Sequence, residues 1–183
     1  MKTLDWIKKN ISNGNICLEY SYRINMAKSK VGIFESFCDL SGFMFLCEMS
    51  QKEEGLPYEI FVRDFKRYIN GGYVAKMDLY TASVYCSYDD AEPIDAVESL
   101  YLFLNSRARV VIPKGSRTII LADAKSDIEL VIGEDSVVRI YDCNDRVRVV
   151  EQHGNGIVNY PEAKRPLGLK KPKLIRLSDT RKG

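Results

Sequence analysis

The sequence predicts an α+β protein. A mainly helical N-terminal part, residues 1–72, precedes a short β-solenoid of about ten-residue strand-turn units over residues 73–160. A basic, proline-containing tail occupies residues 161–183. Three observations carry this reading. Ser106, Ser116, Ser126 and Ser136 recur every ten residues, each followed by apolar residues at alternate positions. Helical periodicity stops at Asn70-Gly71-Gly72, a combination that ends helices. Charge is divided: the tail has eight basic and two acidic residues, net +6, whereas the rest has 19 and 23, net −4.

The elements follow in order. Thr3 is placed to N-cap a short helix with Leu4, Ile7 and Ile11 on one face, stopped at Asn13-Gly14. Over residues 16–26 the apolar Ile16, Leu18, Tyr20, Tyr22, Ile24 and Met26 alternate with other residues, and this period of two predicts a strand. A helix is the rival, because Ile16, Tyr20 and Ile24 are also four apart. Residues 33–49 are apolar on all sides and predict a buried helix, with a break at Ser41-Gly42. After a polar loop, Pro57 suits a first helical position. Phe61, Phe65, Tyr68 and Ile69 then form a stripe at helical spacing, with Lys66 and Arg67 in the last turn. Residues 73–88 are rich in β-branched and aromatic residues and predict strands.

In the repeat, the inward set is Ala108, Val110 and Ile112, then Thr118, Ile120 and Ala122, then Ile128, Leu130 and Ile132, then Val138 and Ile140. Ala96 fits the serine series one step earlier. The pattern frays at Asp142, and a slip of one residue at Cys143-Asn144-Asp145 restores it as Val147 and Val149. Turn-formers separate the strands: Pro113-Lys114-Gly115, Asp123-Ala124-Lys125, Gly133-Glu134-Asp135 and residues 153–156. Two architectures fit. In a narrow solenoid, two units make a coil of about 20 residues and the coils stack in parallel. In an antiparallel meander or sandwich, successive strands pair as hairpins. Constant spacing and the recurring serine favour the solenoid. A solenoid also requires caps; the helical part is expected at one end and residues 153–160 at the other.

A helical first half, a strand containing Val84-Tyr85-Cys86-Ser87 and short repeated strands together resemble repeat-strand proteins of gut anaerobes, their phages and mobile elements. The resemblance covers about half the chain and implies no catalytic residues.

Little in the chain marks catalysis. His153 is the only histidine and lies in a turn-forming stretch. The acidic pairs Glu53-Glu54, Asp89-Asp90 and Glu134-Asp135 fall in loops and read as solvated surface. No phosphate loop is formed by Pro113-Lys114-Gly115-Ser116, which lacks the GxxxxGK[ST] order. Five cysteines without a CxxC spacing read as buried thiols in a reducing cytosol, with no metal site. The eleven tyrosines read as strand and core residues rather than a stacking platform. No run approaches the roughly 18–20 apolar residues that span a bilayer. The N-terminus lacks an apolar h-region, so no signal peptide is expected.

The expectation is therefore a non-enzymatic binding or assembly module of the cytoplasm, without cofactor, metal or membrane contact. It would engage a protein partner, self-association included, through its β surface and its tail. The partner-binding residues are Lys164, Arg165, Lys170, Lys171, Lys173 and Arg176. Within the tail, Leu174-Ile175-Arg176-Leu177 suits strand addition, whereas Leu167 and Leu169 flank Gly168 and bury little. The alternative is a nucleic-acid-binding protein that uses a helix-turn-helix-like unit over residues 33–49 and 57–70, with tail cations on phosphates.

Overall fold

The computed structural model describes residues 3–10, 18–51, 58–86, 92–123, 125–142 and 146–159. Five helices come first: α1 (Thr3–Asn10), α2 (Leu18–Met26), α3 (Lys30–Glu35), α4 (Leu40–Gln51) and α5 (Tyr58–Phe65). Ten strands follow: β1 (Ala75–Lys76), β2 (Thr81–Tyr85), β3 (Ile94–Asp95), β4 (Leu100–Phe103), β5 (Arg107–Ile112), β6 (Arg117–Ala122), β7 (Asp127–Ile132), β8 (Val137–Asp142), β9 (Val147–Gln152) and β10 (Ile157–Asn159).

The strands form the solenoid. The even-numbered strands, with β1 at the edge, stack in a six-stranded sheet, β1-β2-β4-β6-β8-β10, and the odd-numbered strands from β3 on in a four-stranded sheet, β3-β5-β7-β9. All pairs are parallel except the hairpin β1–β2. Arg107 pairs with Asp127 and Arg117 with Val137, so one central coil takes 20 residues, two ten-residue units. From β2 onward successive strands lie in opposite sheets, which rules out the hairpin meander. Between β7 and β9 the offset is 19 up to Leu130–Val149 and 20 from Val131–Glu151. The missing residue is thus the slip the sequence shows near Cys143, and an irregularity at Val150 restores the coil spacing.

The serines recur because each closes a turn. Ser116 Oγ donates to Pro113 O at 2.7 Å, and Ser136 Oγ to Gly133 O at 2.6 Å, each back across its own turn. At the opposite corner Ser106 Oγ donates to Tyr85 O at 2.9 Å, and Ser126 Oγ to Phe103 O at 3.2 Å, both one coil away. A small hydroxyl satisfies buried carbonyls there without filling the corner.

Two cores result. Between the sheets lie Val110, Ile112, Ile120, Ile128, Leu130, Ile132, Val138 and Ile140, all buried. At the first coils this interior is filled by stacked rings: Tyr85 lies 5.9 Å from Tyr101 and 5.5 Å from Phe103. The second core joins the helices to the outer face of the six-stranded sheet. It packs Phe34, Phe37, Phe43, Phe61 and Phe65 with Val84, Leu100, Leu102 and Leu121. β4 is therefore buried on both faces, and this accounts for its unbroken apolar run. The sequence places the helices across one end of the solenoid; instead they pack on the outer face of the six-stranded sheet, and the hairpin strand β1 covers the edge of β2.

Several local expectations change. Residues 18–26 are helical, not a strand: Ile24 is buried, but Tyr22 and Met26 point outward, 67% and 54% exposed. Apolar residues at i and i+4 satisfied both periods. The apolar stretch breaks at residues 36–39, not at Ser41-Gly42. Asp39 Oδ1 accepts from Gly42 N–H at 2.7 Å, opening α4 there. Gly42 is a packing glycine: a Cβ would lie 2.3 Å from Ser36 O and 2.7 Å from Phe37 Cα. Thr3 is the first helical residue rather than a cap, and its hydroxyl donates to Asp64. α5 ends at Phe65, earlier than its stripe suggests, and turns carry Tyr68 and Ile69 onto the same core. Asn70 (φ 54°) and Gly71 (φ 79°) then reverse the chain, with Asn70 Oδ1 accepting from Cys86 N–H at 2.9 Å. Ile11, Asn13-Gly14 and Pro57 lie outside the described residues.

Candidate interaction surface

The two sheets differ in what covers them. Helices pack on the outer face of the six-stranded sheet, whereas on the outer face of the four-stranded sheet Arg107, Arg109, Arg148 and Glu151 are exposed. Alternation in the repeat places Arg107 and Arg109 on it from β5, Asp127 and Glu129 from β7, and Arg148 and Glu151 from β9. The coil spacing then sets opposite charges side by side: Arg107 pairs with Asp127, and Arg109 with Glu129. Arg148 Nη2 donates to Asp127 Oδ1 at 2.9 Å and to Glu129 Oε1 at 3.3 Å. Arg109 Nη2 is 3.7 Å from Glu151 Oε2. The result is a row of cations, a row of anions and a further cation across three strands. Val111, half-buried, and Val131, buried, lie adjacent in register beside these rows.

These ion pairs are half-exposed, so each contributes at most about 1 kcal/mol to stability. Their effect is on shape: they hold long side chains in a fixed, alternating pattern that a complementary protein surface can match. On the neighbouring turns Lys114 pairs with Glu134 across two coils. The contact pushes the Lys114 amine up and holds the Glu134 carboxyl down.

The expected tail residues Lys164, Arg165, Lys170, Lys171, Lys173 and Arg176 lie outside the described residues, as do Asp89-Asp90, Glu53-Glu54, Cys17 and Cys143. His153 is an exposed turn residue, its Nε2 3.0 Å from Glu151 Oε1. Tyr85 and Tyr101 are committed to the interior, and Tyr68 and Tyr73 to the helical core. The Tyr101 hydroxyl is pushed up by burial and by its bond to the Glu98 carboxylate. Cys38 and Cys86 are buried thiols whose burial pushes both above the ordinary thiol range, which makes them poor nucleophiles. On α5, Arg63 is bound to Asp64 at 2.9 Å, which leaves the helix-turn-helix alternative chiefly the exposed Lys66 and Arg67. Among the described residues, no group of three or more His, Cys, Asp or Glu is placed to hold a metal ion. No helix among them is long and apolar enough to cross a membrane.

The charged face was not singled out from sequence, although its signal is present: outward residues 20 apart carry opposite charge at 107/127 and at 109/129.

No protein-family model matches the chain, and no curated protein or solved structure matches it. What the fold and this face define is a class: a short, two-sheet parallel β-solenoid with helices along one side and a charge-patterned face on the other.

Proposed function

We propose that the protein is a non-enzymatic binding or assembly module of the cytoplasm. It contacts a protein partner through the outer face of the four-stranded sheet, with the basic tail adding electrostatic attraction. The observation that carries this reading is the asymmetry of the solenoid. One sheet packs against the chain's own helices, whereas the other presents Arg107, Arg109, Asp127, Glu129 and Arg148 in ordered rows. A flat face with paired charges of both signs suits a protein surface better than a uniformly anionic phosphate backbone. An origin in a phage or mobile element belongs to the same reading and rests on the resemblance alone.

Crosslinked capture from the native host tests it, using the full chain, an R107E/R109E variant and a chain ending at Tyr160. One defined protein should be enriched by the full chain and lost with R107E/R109E. Equal capture by all three would overturn the proposal. So would recovery of nucleic acid whose binding falls with salt at a log-log slope of about −5 to −7, the value for six to eight phosphate contacts.

A further inference from the structure

The charged rows on the outer face of the four-stranded sheet are related by a symmetry. Arg107 and Arg109 stand on β5, and their Cα partners on β7 are Asp127 and Glu129. A row of cations thus lies beside a row of anions, position for position, about 5 Å away. Arg148 holds both anions, and Glu151 lies beside Arg109. These ties leave the rows accessible: the side chains of Arg109, Asp127 and Glu129 are 51%, 43% and 40% exposed. Each has room for a second partner from above the face.

Half a turn about an axis along the strands, midway between β5 and β7, exchanges the two rows. A second copy laid over the first by that rotation sets its anions, Asp127 and Glu129, above Arg107 and Arg109. Its own Arg107 and Arg109 come to lie above the first copy's anions. The rotation leaves position along the strand unchanged, so the paired registers coincide. Stacked sheets lie about 10 Å apart, a distance that arginine and glutamate side chains reaching from both faces can span. The same axis sets β3, with exposed Asp95, opposite the second copy's β9. That strand carries both Arg148 and Glu151, so the outer strands add no net attraction. The attraction comes from the two central rows, with every contact made twice, as two-fold symmetry requires. A partner surface of one sign meets one row favourably and the other unfavourably. A second copy meets both favourably.

We propose that this face pairs with the same face of a second copy of the chain, Arg109 of each copy meeting Glu129 of the other. The inference rests on the reading of this face as the interaction surface and names its partner. Three six-residue strands and the short β3 make a face of roughly 300–400 Å², about half or less of the roughly 800 Å² per partner in a stable complex. The pairing is therefore weak, sensitive to salt and confined to high concentration.

Sedimentation equilibrium of the full chain tests it, at concentrations up to about 1 mM, where so small an interface pairs. The average mass should rise with concentration towards that of two chains and fall again as salt is raised. The reversals R109E and E129R should each weaken self-association at least about tenfold, because like charges then meet twice. An equimolar mixture of the two variants should restore it, since the acid of one then faces the base of the other at both contacts. Circular dichroism checks that each variant keeps the fold. Should a reversal fail to fold, R109Q and E129Q replace the pair, and each should weaken association several-fold. A chain that stays single at every concentration overturns the proposal. So does association that the substitutions leave unchanged, or that the mixture fails to restore. If the chain stays single yet captures a different protein through Arg107 and Arg109, the interaction surface stands and its partner is not a second copy. If it also captures nothing, both readings fall.

Discussion

Ser106 and Ser126 stand 20 residues apart, yet the Ser106 N–H donates to Ser126 Oγ at 3.1 Å. The repeat read along the sequence is here a physical contact between two coils. Ser126 Oγ also donates, to Phe103 O or to Asp123 Oδ1, so one hydroxyl ties three segments of the corner. Replacing Ser126 with Ala removes these bonds from a buried corner. The expected cost is about 1–3 kcal/mol, at about 1 kcal/mol for each hydrogen bond lost. Ser116→Ala removes only a bond within its own half-buried turn and should cost about 0.5–1 kcal/mol. Urea unfolding of the two variants checks the order; a smaller loss in Ser126→Ala would count against the corner network.

Ile120 and Leu130 belong to facing sheets and are fully buried in the same core. Truncating either to Ala should cost about 2–5 kcal/mol, as for other buried aliphatic side chains. Arg109→Ala, on the outer face of the same sheet as Leu130, should stay within about 0.5 kcal/mol. Losses below that figure at both core sites would reject the inward register.

Thr118 is the inward residue two positions before Ile120, buried, and its hydroxyl has no hydrogen-bond partner among the described residues. A valine of nearly equal volume removes that buried hydroxyl and keeps the branched shape that strands favour. Thr118→Val should therefore raise stability by about 1 kcal/mol, seen as a higher urea midpoint with an unchanged slope. A loss of stability would mean that the hydroxyl is satisfied in solution.

The solenoid was legible because its inner face is simple. One side of each strand is apolar, the other polar, and the turn serines keep the count, so Ile120, Leu130 and the slip near Cys143 could all be read from sequence. The helical part was harder for a physical reason. In residues 18–26 the apolar residues fall at positions that suit both periods, and Tyr22 and Met26 stay exposed, so no burial pattern separates helix from strand. β4 was missed because helices cover its second face, which erased the alternation: Leu100 and Leu102 face the helices while Tyr101 and Phe103 face the interior. The charged face depends on registers that only the coil spacing supplies.

Asp64 ties the two ends of the helical part together. Its Oδ2 accepts from both Thr3 N–H and Thr3 Oγ1, each at 2.8 Å. Burial pushes the carboxyl up, but the two Thr3 donors and the Arg63 guanidinium outweigh it and hold it below its ordinary value of 3.8. A depressed folded-state value means a stabilisation that is complete above the unfolded value and lost as pH falls through the folded one. Asp64→Asn should cost about 1.5–3 kcal/mol at pH 7, the range for hydrogen bonds to a charged group. The gap to the natural chain should close as pH drops below 3.8. A gap that does not vary with pH would show that the negative charge plays no part.

Gly133 and Gly115 occupy turns at the same corner of successive coils and should respond differently to alanine. Gly133 N–H donates to Ile112 O at 2.8 Å, which draws its turn down onto the turn below. A Cβ on Gly133 would lie 2.5 Å from Ile112 O, 2.7 Å from Lys114 N and 2.8 Å from Pro113 C. All three are backbone atoms of the neighbouring coil, so relief requires the coils to part, with strain on the bonds from Gly115 N–H to Glu134 O and from Val137 N–H to Ser116 O. Gly115 has open space around its missing Cβ, but its φ is +71°, a conformation that L-residues adopt at a cost. Asp135 holds the equivalent place one coil on at φ 55°, so a side chain is tolerated there. Gly115→Ala should therefore cost about 1 kcal/mol, and Gly133→Ala should reach or pass the upper end of the roughly 1–3 kcal/mol typical of overpacking. Gly133→Ala should also raise hydrogen exchange in both stacked turns, whereas Gly115→Ala should raise it only locally. Equal losses in the two variants would mean that backbone conformation, not the close approach of the coils, selects glycine at position 133.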